Sequence, residues 1–274
     1  MHLSLDAAVK SVNPLSLVDV PFIDQFGDPL FAYSLRDLKG DGSAVIRVER
    51  QVDGTQQDFT AENLKGQLES FAGNNSAKVV TWYDQAGSAD LTYKDSNISN
   101  APVIVDNLGN YKGAISFESN VHTLVSGTLS DPLVPYLYYI SVQSQVTAST
   151  TNRFTFVSPS FLFFDNLKTT DGVTKYTVSH SGTATSLTDL NQSDTFNTGN
   201  ALHVITGERT TSDNRVSVDG IVEDSVSAAS RSFNGFNLGA AFGLETDYFL
   251  DEVIWYSGLK DDEIVKNMII NNSD

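Results

Sequence analysis

Apolar residues recur along most of this chain at every second position, in short runs broken by Gly, Asn, Asp and Ser. Such alternation puts successive side chains on opposite faces of an extended backbone, so the pattern predicts strands joined by tight turns. Ala44–Arg50 shows it, with Val45, Arg47 and Glu49 on one face and Ile46, Val48 and Arg50 on the other. Comparable runs predict strands at Val79–Tyr83, Ala114–Glu118, Tyr136–Gln145, Arg153–Val157, Ser160–Phe164, Lys175–Ser179, Ala201–Glu208, Arg215–Val218 and Phe236–Leu238. Between Thr60 and Ala72 the period changes. Leu64, Leu68 and Phe71 fall at helical spacing, Thr60 can cap and Gly73 can end the segment, which predicts a short surface helix.

The end of the chain pairs both signals. Tyr248–Tyr256 is rich in aromatic and β-branched residues and stops at Ser257-Gly258; Asp261, Asp262 and Glu263 then favour a helix start, with Ile264, Met268 and Ile269 on one face. At the other end, Pro14, Pro21 and Pro29 interrupt residues 1–30, which read as an arm carrying apolar anchors such as Leu15, Leu17 and Phe22. Residues 31–274 then form one all-β domain, an antiparallel two-sheet jelly-roll sandwich with one or two short helices.

Composition supports a single large core: 40% of the 274 residues are hydrophobic, with 16 Phe and 10 Tyr. Seventeen basic against 34 acidic residues give a net charge of -17, which repels nucleic acid and anionic membranes alike. No cysteine is present to form a disulfide or a thiolate site. Met1–Asp6 lacks a basic n-region and an apolar core, so synthesis in the cytoplasm is expected.

Candidate chemistry is sparse. In Trp82-Tyr83-Asp84-Gln85 the aromatics could stack on a sugar ring while Asp84 and Gln85 bind hydroxyls; equally, the two polar groups could bond turn backbone while one aromatic fills core, the reading we favour. Asp251 and Glu252 are adjacent in an apolar strand, so alternation sends Glu252 to the face of Leu250, Ile254 and Tyr256 and Asp251 to that of Val253 and Trp255. Either carboxylate is satisfied by a buried partner or poised by desolvation for acid–base work. His2, His122, His180 and His203 lack metal-ligand spacing. No cofactor is expected; a rim calcium ion is left open, with Asp165-Asn166, Asp189–Asn191 and Asp213-Asn214 equally able to form ordinary turns.

Several segments in one order carry a resemblance: Ala32–Arg36, Ala44–Arg50, Thr81–Gly87, Leu202–Arg209, Asn214–Val222, Phe249–Tyr256 and Leu259–Ile264. Together they resemble laminin-G-like, concanavalin A-like jelly rolls, in the subgroup shared by bacteriophage structural proteins and family 54 α-L-arabinofuranosidase catalytic domains. In those enzymes a catalytic acid follows a Gly-rich strand end, whereas Leu238–Gly243 here reaches no carboxylate before Glu245. The resemblance therefore implies a non-enzyme: a virion structural protein (capsid decoration, fibre or tail module), partnered by other virion proteins and by itself as a trimer. Host-surface glycans are further expected partners. The alternative is a carbohydrate-binding module or an arabinofuranosidase-like hydrolase.

Overall fold

The computed structural model describes residues 29–87, 89–93, 97–118, 121–127, 137–145, 153–157, 164–170, 173–179, 203–209, 213–218, 221–227, 237–239 and 248–257. The expected terminal helix, the segment 240–247 and the expected arm lie outside them, except for Pro29 and Leu30 of the arm, which begin the first strand.

The chain runs through β1 (Pro29–Ser34), β2 (Ala44–Arg50), β3 (Gln56–Thr60), α1 (Leu64–Ala72), β4 (Ala77–Trp82), β5 (Leu91–Tyr93), β6 (Val103–Val105), β7 (Tyr111–Phe117) and β8 (Thr123–Ser126). It continues through β9 (Leu137–Gln145), β10 (Arg153–Val157), β11 (Phe164–Thr170), β12 (Val173–Ser179) and β13 (His203–Arg209). The last four strands are β14 (Asp213–Val218), β15 (Ile221–Ser227), β16 (Asn237–Gly239) and β17 (Tyr248–Ser257). The described structure is thus mostly antiparallel β with one α-helix, as the alternating pattern predicts. Of the strand expected at Ser160–Phe164 only Phe164 is among the described residues; it begins β11, Phe164–Thr170, which pairs along its whole length with β12.

The strands are hydrogen-bonded into one sheet of 17, and these pairings alone do not define two separate sheets. The sheet forks at β4. Through Thr81 and Trp82 that strand pairs with β5, and through Ala77 and Lys78 with β6, so two arms leave one strand in different directions. One arm runs β5–β8–β16–β10–β11–β12; the other runs β6–β7–β17, with β1 and β9 both paired to β17. Strand twist and repeated register shifts, as between Arg47 and Val48 against β4, curl a sheet of this width around its apolar side.

Among the described residues, one apolar cluster lines its inner side. Ile46, Val48, Phe59, Val79, Trp82, Leu91, Phe117, Leu124, Leu238, Leu250, Val253 and Trp255 all bury there. The helix α1 contributes Leu64, Leu68 and Ala72. It begins at Asn63 in a left-handed conformation without a side-chain cap, later than the expected start at Thr60, whose hydroxyl instead accepts a bond from Gln67. Gly73 ends it at φ 62°, as a C-terminal glycine does.

Candidate functional site at the β1–β17 seam

Strands β1 and β17 pair with Ser34 opposite Glu252, Tyr33 opposite Val253 and Phe31 opposite Trp255. Phe31, Tyr33 and Leu35 enter the core cluster from β1; Leu250, Val253 and Trp255 enter it from β17. On β17 that spacing breaks the two-residue period, and the register against β9 shifts between Leu250 and Glu252. Asp251 is therefore the extra residue of a β-bulge. The bulge corrects the sequence expectation that strict alternation parts the two carboxylates: Asp251 and Glu252 both leave the strand on the side away from the core cluster.

Their environments differ. Glu252 is 1% exposed. Its Oε2 accepts from Arg36 Nε at 2.7 Å and from Ser34 Oγ at 2.7 Å, and its Oε1 accepts from Arg36 Nη2 at 2.9 Å. Ser34 Oγ also accepts from the Arg36 backbone N–H at 3.1 Å. Burial works to lower the Arg36 guanidinium, but the facing Glu252 carboxylate outweighs it and holds Arg36 above its usual range. Glu252 is thus a locked counter-ion, with both oxygens committed.

Asp251 is half-buried and, among the described residues, its carboxyl makes no hydrogen bond; its backbone carbonyl accepts from Leu35 N–H at 3.4 Å. Desolvation first, and the Glu252 carboxylate second, push its carboxyl up to about 7, with Arg36 opposing. Burial and the same Asp251 carboxylate raise the Tyr111 phenol, whose O–H donates to the Gly113 carbonyl at 3.1 Å. A carboxyl that carries its proton near neutrality and lacks a competing partner can serve as general acid or base.

The second candidate motif serves to hold this seam. Trp82 is wholly buried in the core and lies 5.8 Å from Tyr33 between ring centroids. Asp84 accepts from the backbone N–H groups of Ala32 at 2.9 Å, Ala86 at 3.0 Å and Ala89 at 3.2 Å. Gln85 accepts from Leu38 N–H at 2.7 Å and donates to the carbonyls of Ser34 at 3.0 Å and Arg36 at 2.9 Å. These groups are spent on backbone and tie the end of β4 to β1, fixing the loop that carries Arg36. Tyr83 differs: half-buried on the opposite face from Trp82, it donates to Asp58 Oδ1 at 2.7 Å.

Sequence reasoning singles out Asp251 and Glu252 but not Ser34, Arg36 or Tyr111. Arg36 stands in the Ala32–Arg36 segment, yet its partner lies 216 residues away, and no local pattern links the two. Among the described residues no group of three or more His, Cys, Asp or Glu could hold a metal ion. Of the Asp/Asn pairs considered as turns or calcium ligands, Asp165-Asn166 and Asp213-Asn214 lie within β11 and β14, with side chains outside the described residues, as is all of Asp189–Asn191. His122 accepts the Glu118 N–H on Nδ1 at 3.1 Å, and burial lowers it to about 4, which suits a structural neutral imidazole.

No family model matches this chain, and no curated protein does. Solved structures do. An arabinofuranosidase in complex with arabinofuranosyl-α-1,2-xylobiose superposes with a TM-score of 0.61 at 12% identity, over 89% of this chain and 62% of that one. A glycoside hydrolase family 54 α-L-arabinofuranosidase soaked with a cyclic sulfate inhibitor gives 0.62 at 12% identity, with the same coverage. A variant of such an enzyme, soaked with 4-nitrophenyl α-L-arabinofuranoside, gives 0.60 at 11% identity. The chain spans about 62% of the length of these enzymes, and at such identity the likeness is one of fold. It nevertheless corrects the expectation of a non-enzyme: these three solved folds, each matching 89% of this chain, are those of arabinofuranosidases, which are glycoside hydrolases.

Proposed function

We propose that this chain is a carbohydrate-active domain that cleaves glycosidic bonds, with Asp251 as its proton donor. The observation that carries the reading is the Asp251 carboxyl itself: half-buried, free of hydrogen bonds among the described residues, and displaced by a bulge to lie beside the fixed Arg36–Glu252 pair. In the step proposed, the bond between the anomeric carbon and the leaving oxygen breaks as Asp251 gives that oxygen its proton. A water adds its oxygen to the anomeric carbon and returns a proton to the Asp251 carboxylate, so the group is restored. Glu252, bound on both oxygens, supplies the negative field that keeps the Asp251 proton in place and does not attack. Arg36, Ser34 and Gln85 are positioning residues.

The fold likeness supports arabinofuranosides as the first substrates to test. Purified protein is incubated with 4-nitrophenyl α-L-arabinofuranoside, and 4-nitrophenol release is followed for the wild type and for Asp251→Asn. Turnover that falls at least about 100-fold in the amide variant, with an unchanged melting profile, is the expected result. Turnover indifferent to the substitution, or no turnover by the wild type, contradicts the assignment. Glycans at a host surface fall within this reading; placement on a virion, and a trimer, rest on the sequence resemblance alone.

A further inference from the structure

On the face of β4 opposite Trp82, a row of polar side chains crosses four strands in register. Asp58 of β3 lies opposite Arg47 of β2, Arg47 opposite Thr81 of β4, and Thr81 opposite Thr92 of β5. At roughly 4.8 Å per strand, the row spans about 14 Å, the length of a short oligosaccharide and more than a single ring. Its members are unequally exposed. Arg47 and Asp58 are 42% and 43% exposed, and Thr92 is exposed, whereas Thr81 between them is only 8% exposed. Thr81 thus lies low between the more exposed side chains of Arg47 and Thr92. Among the described residues its hydroxyl, like that of Thr92, makes no hydrogen bond, although it is a donor and an acceptor.

The chemistry of the row selects a ligand class. Arg47 donates from Nε to Asp58 Oδ1 at 2.7 Å and from Nη2 to Oδ2 at 2.9 Å, and Tyr83 O–H donates to the same Oδ1. That arrangement consumes two of the five guanidinium donors and leaves three, together with a lone pair on the Tyr83 oxygen. It also cancels the charge. Bonding to Arg47 holds the Asp58 carboxyl below its usual range, and bonding to Asp58 holds the Arg47 guanidinium above its own, so both stay ionised and the site is neutral overall. Free donors and acceptors beside one half-buried aromatic side chain suit sugar hydroxyls, and the Asp58 carboxylate already paired with Arg47 weakens the pull on a phosphate, sulfate or uronate. The net charge of -17 opposes anions further.

We propose that the Arg47–Thr81–Thr92 row, with Tyr83 and Asp58, is a binding site for a neutral oligosaccharide. It rests on the carbohydrate-directed reading above but uses none of the residues assigned to proton transfer. The test is a backbone and Arg Nε–H nuclear magnetic resonance titration of the full chain. The probes are arabinofuranosyl-α-1,2-xylobiose, short xylo-, manno- and gluco-oligosaccharides, and oligogalacturonate as the anionic comparator. Saturable shifts centred on Arg47, Thr81 and Thr92 with at least one neutral probe are expected, and they should persist in Asp251→Asn. Thr81→Val, which replaces the hydroxyl by a methyl group, should weaken binding roughly five- to tenfold, the scale of one neutral hydrogen bond, and Arg47→Met, which removes a charged donor, by about tenfold or more. No shifts with any neutral probe, shifts only with oligogalacturonate, or affinities unmoved by both substitutions would overturn the site. Hydrolysis that proceeds while these shifts are absent removes the row alone; shifts that persist where Asp251 proves dispensable remove the proton-donor assignment alone.

Discussion

At the residue scale, the most informative contrast is between two neighbouring carboxyls. Asp251 is held near 7, above the ordinary value of 3.8, so the folded protein binds its proton more tightly than the unfolded chain does. By linkage, this group's contribution to stability is fully present below about pH 4 and is lost as pH rises through about 7. Replacing Asp251 with Asn should therefore flatten the stability profile between those values and stabilise the protein by roughly 1–2 kcal/mol above pH 7, after allowing for partial solvent access. Urea unfolding at a series of pH values reads this; a parallel fall in wild type and variant would deny the shift. Glu252 predicts the reverse kind of effect. Arg36→Met leaves a carboxylate that is 1% exposed without its cation, at a cost of about 3–5 kcal/mol, while the double change Arg36→Met/Glu252→Met should recover much of the loss. Equal destabilisation by the single and the double change, measured by the same unfolding, would show that charge pairing is not what holds the seam.

At the element scale, the alternation of apolar residues makes the strands legible, since a period of two needs only local sequence. Ala44–Arg50 and Arg153–Val157 are predicted and found at the same boundaries. Short strands such as β5 and β6, at three residues each, carry too few positions for a period to register. The bulge at Asp251 is invisible in the sequence for a different reason: it is a property of the β9–β17 register, which depends on residues more than a hundred positions apart. For the candidate site, the carboxylates are therefore legible, while their sharing of one side and the Arg36 partner are not. Glycines that permit close strand approach are equally silent. Gly239 in β16 has φ 97°, and a Cβ there would lie 2.2 Å from the His122 carbonyl oxygen; Gly113 in β7 has φ 87°, with nothing within 4 Å of the same atom. Gly239→Ala should cost several kcal/mol, from backbone strain and collision together, and Gly113→Ala about 1–2 kcal/mol from strain alone. Thermal melts that rank the two variants the other way would contradict the β8–β16 packing.

At the scale of the whole molecule, one curled sheet forking at β4 creates two surfaces with different chemistry. Along the β1–β17 seam, on the side away from the core cluster, Ala32, Ser34, Glu252, Ile254 and Tyr256 are all buried, and Asp251 is the half-exposed carboxyl among them. Across β3–β2–β4–β5 the face opposite Trp82 carries Asp58, Arg47, Thr81 and Thr92. The proposed proton donor at the seam and the proposed saccharide row lie on separate strands, an arrangement the fold alone does not dictate. The central claim, that Asp251 is the proton donor in glycoside cleavage, is tested most directly by a crystal structure of the Asp251→Asn protein soaked with arabinofuranosyl-α-1,2-xylobiose. An intact trisaccharide is expected, with a glycosidic oxygen within hydrogen-bond reach, about 2.6–3.2 Å, of the side-chain amide that replaces the Asp251 carboxyl in this variant. A trisaccharide bound only on the β2–β5 face, or seated at the seam with every glycosidic oxygen out of that reach, would contradict it.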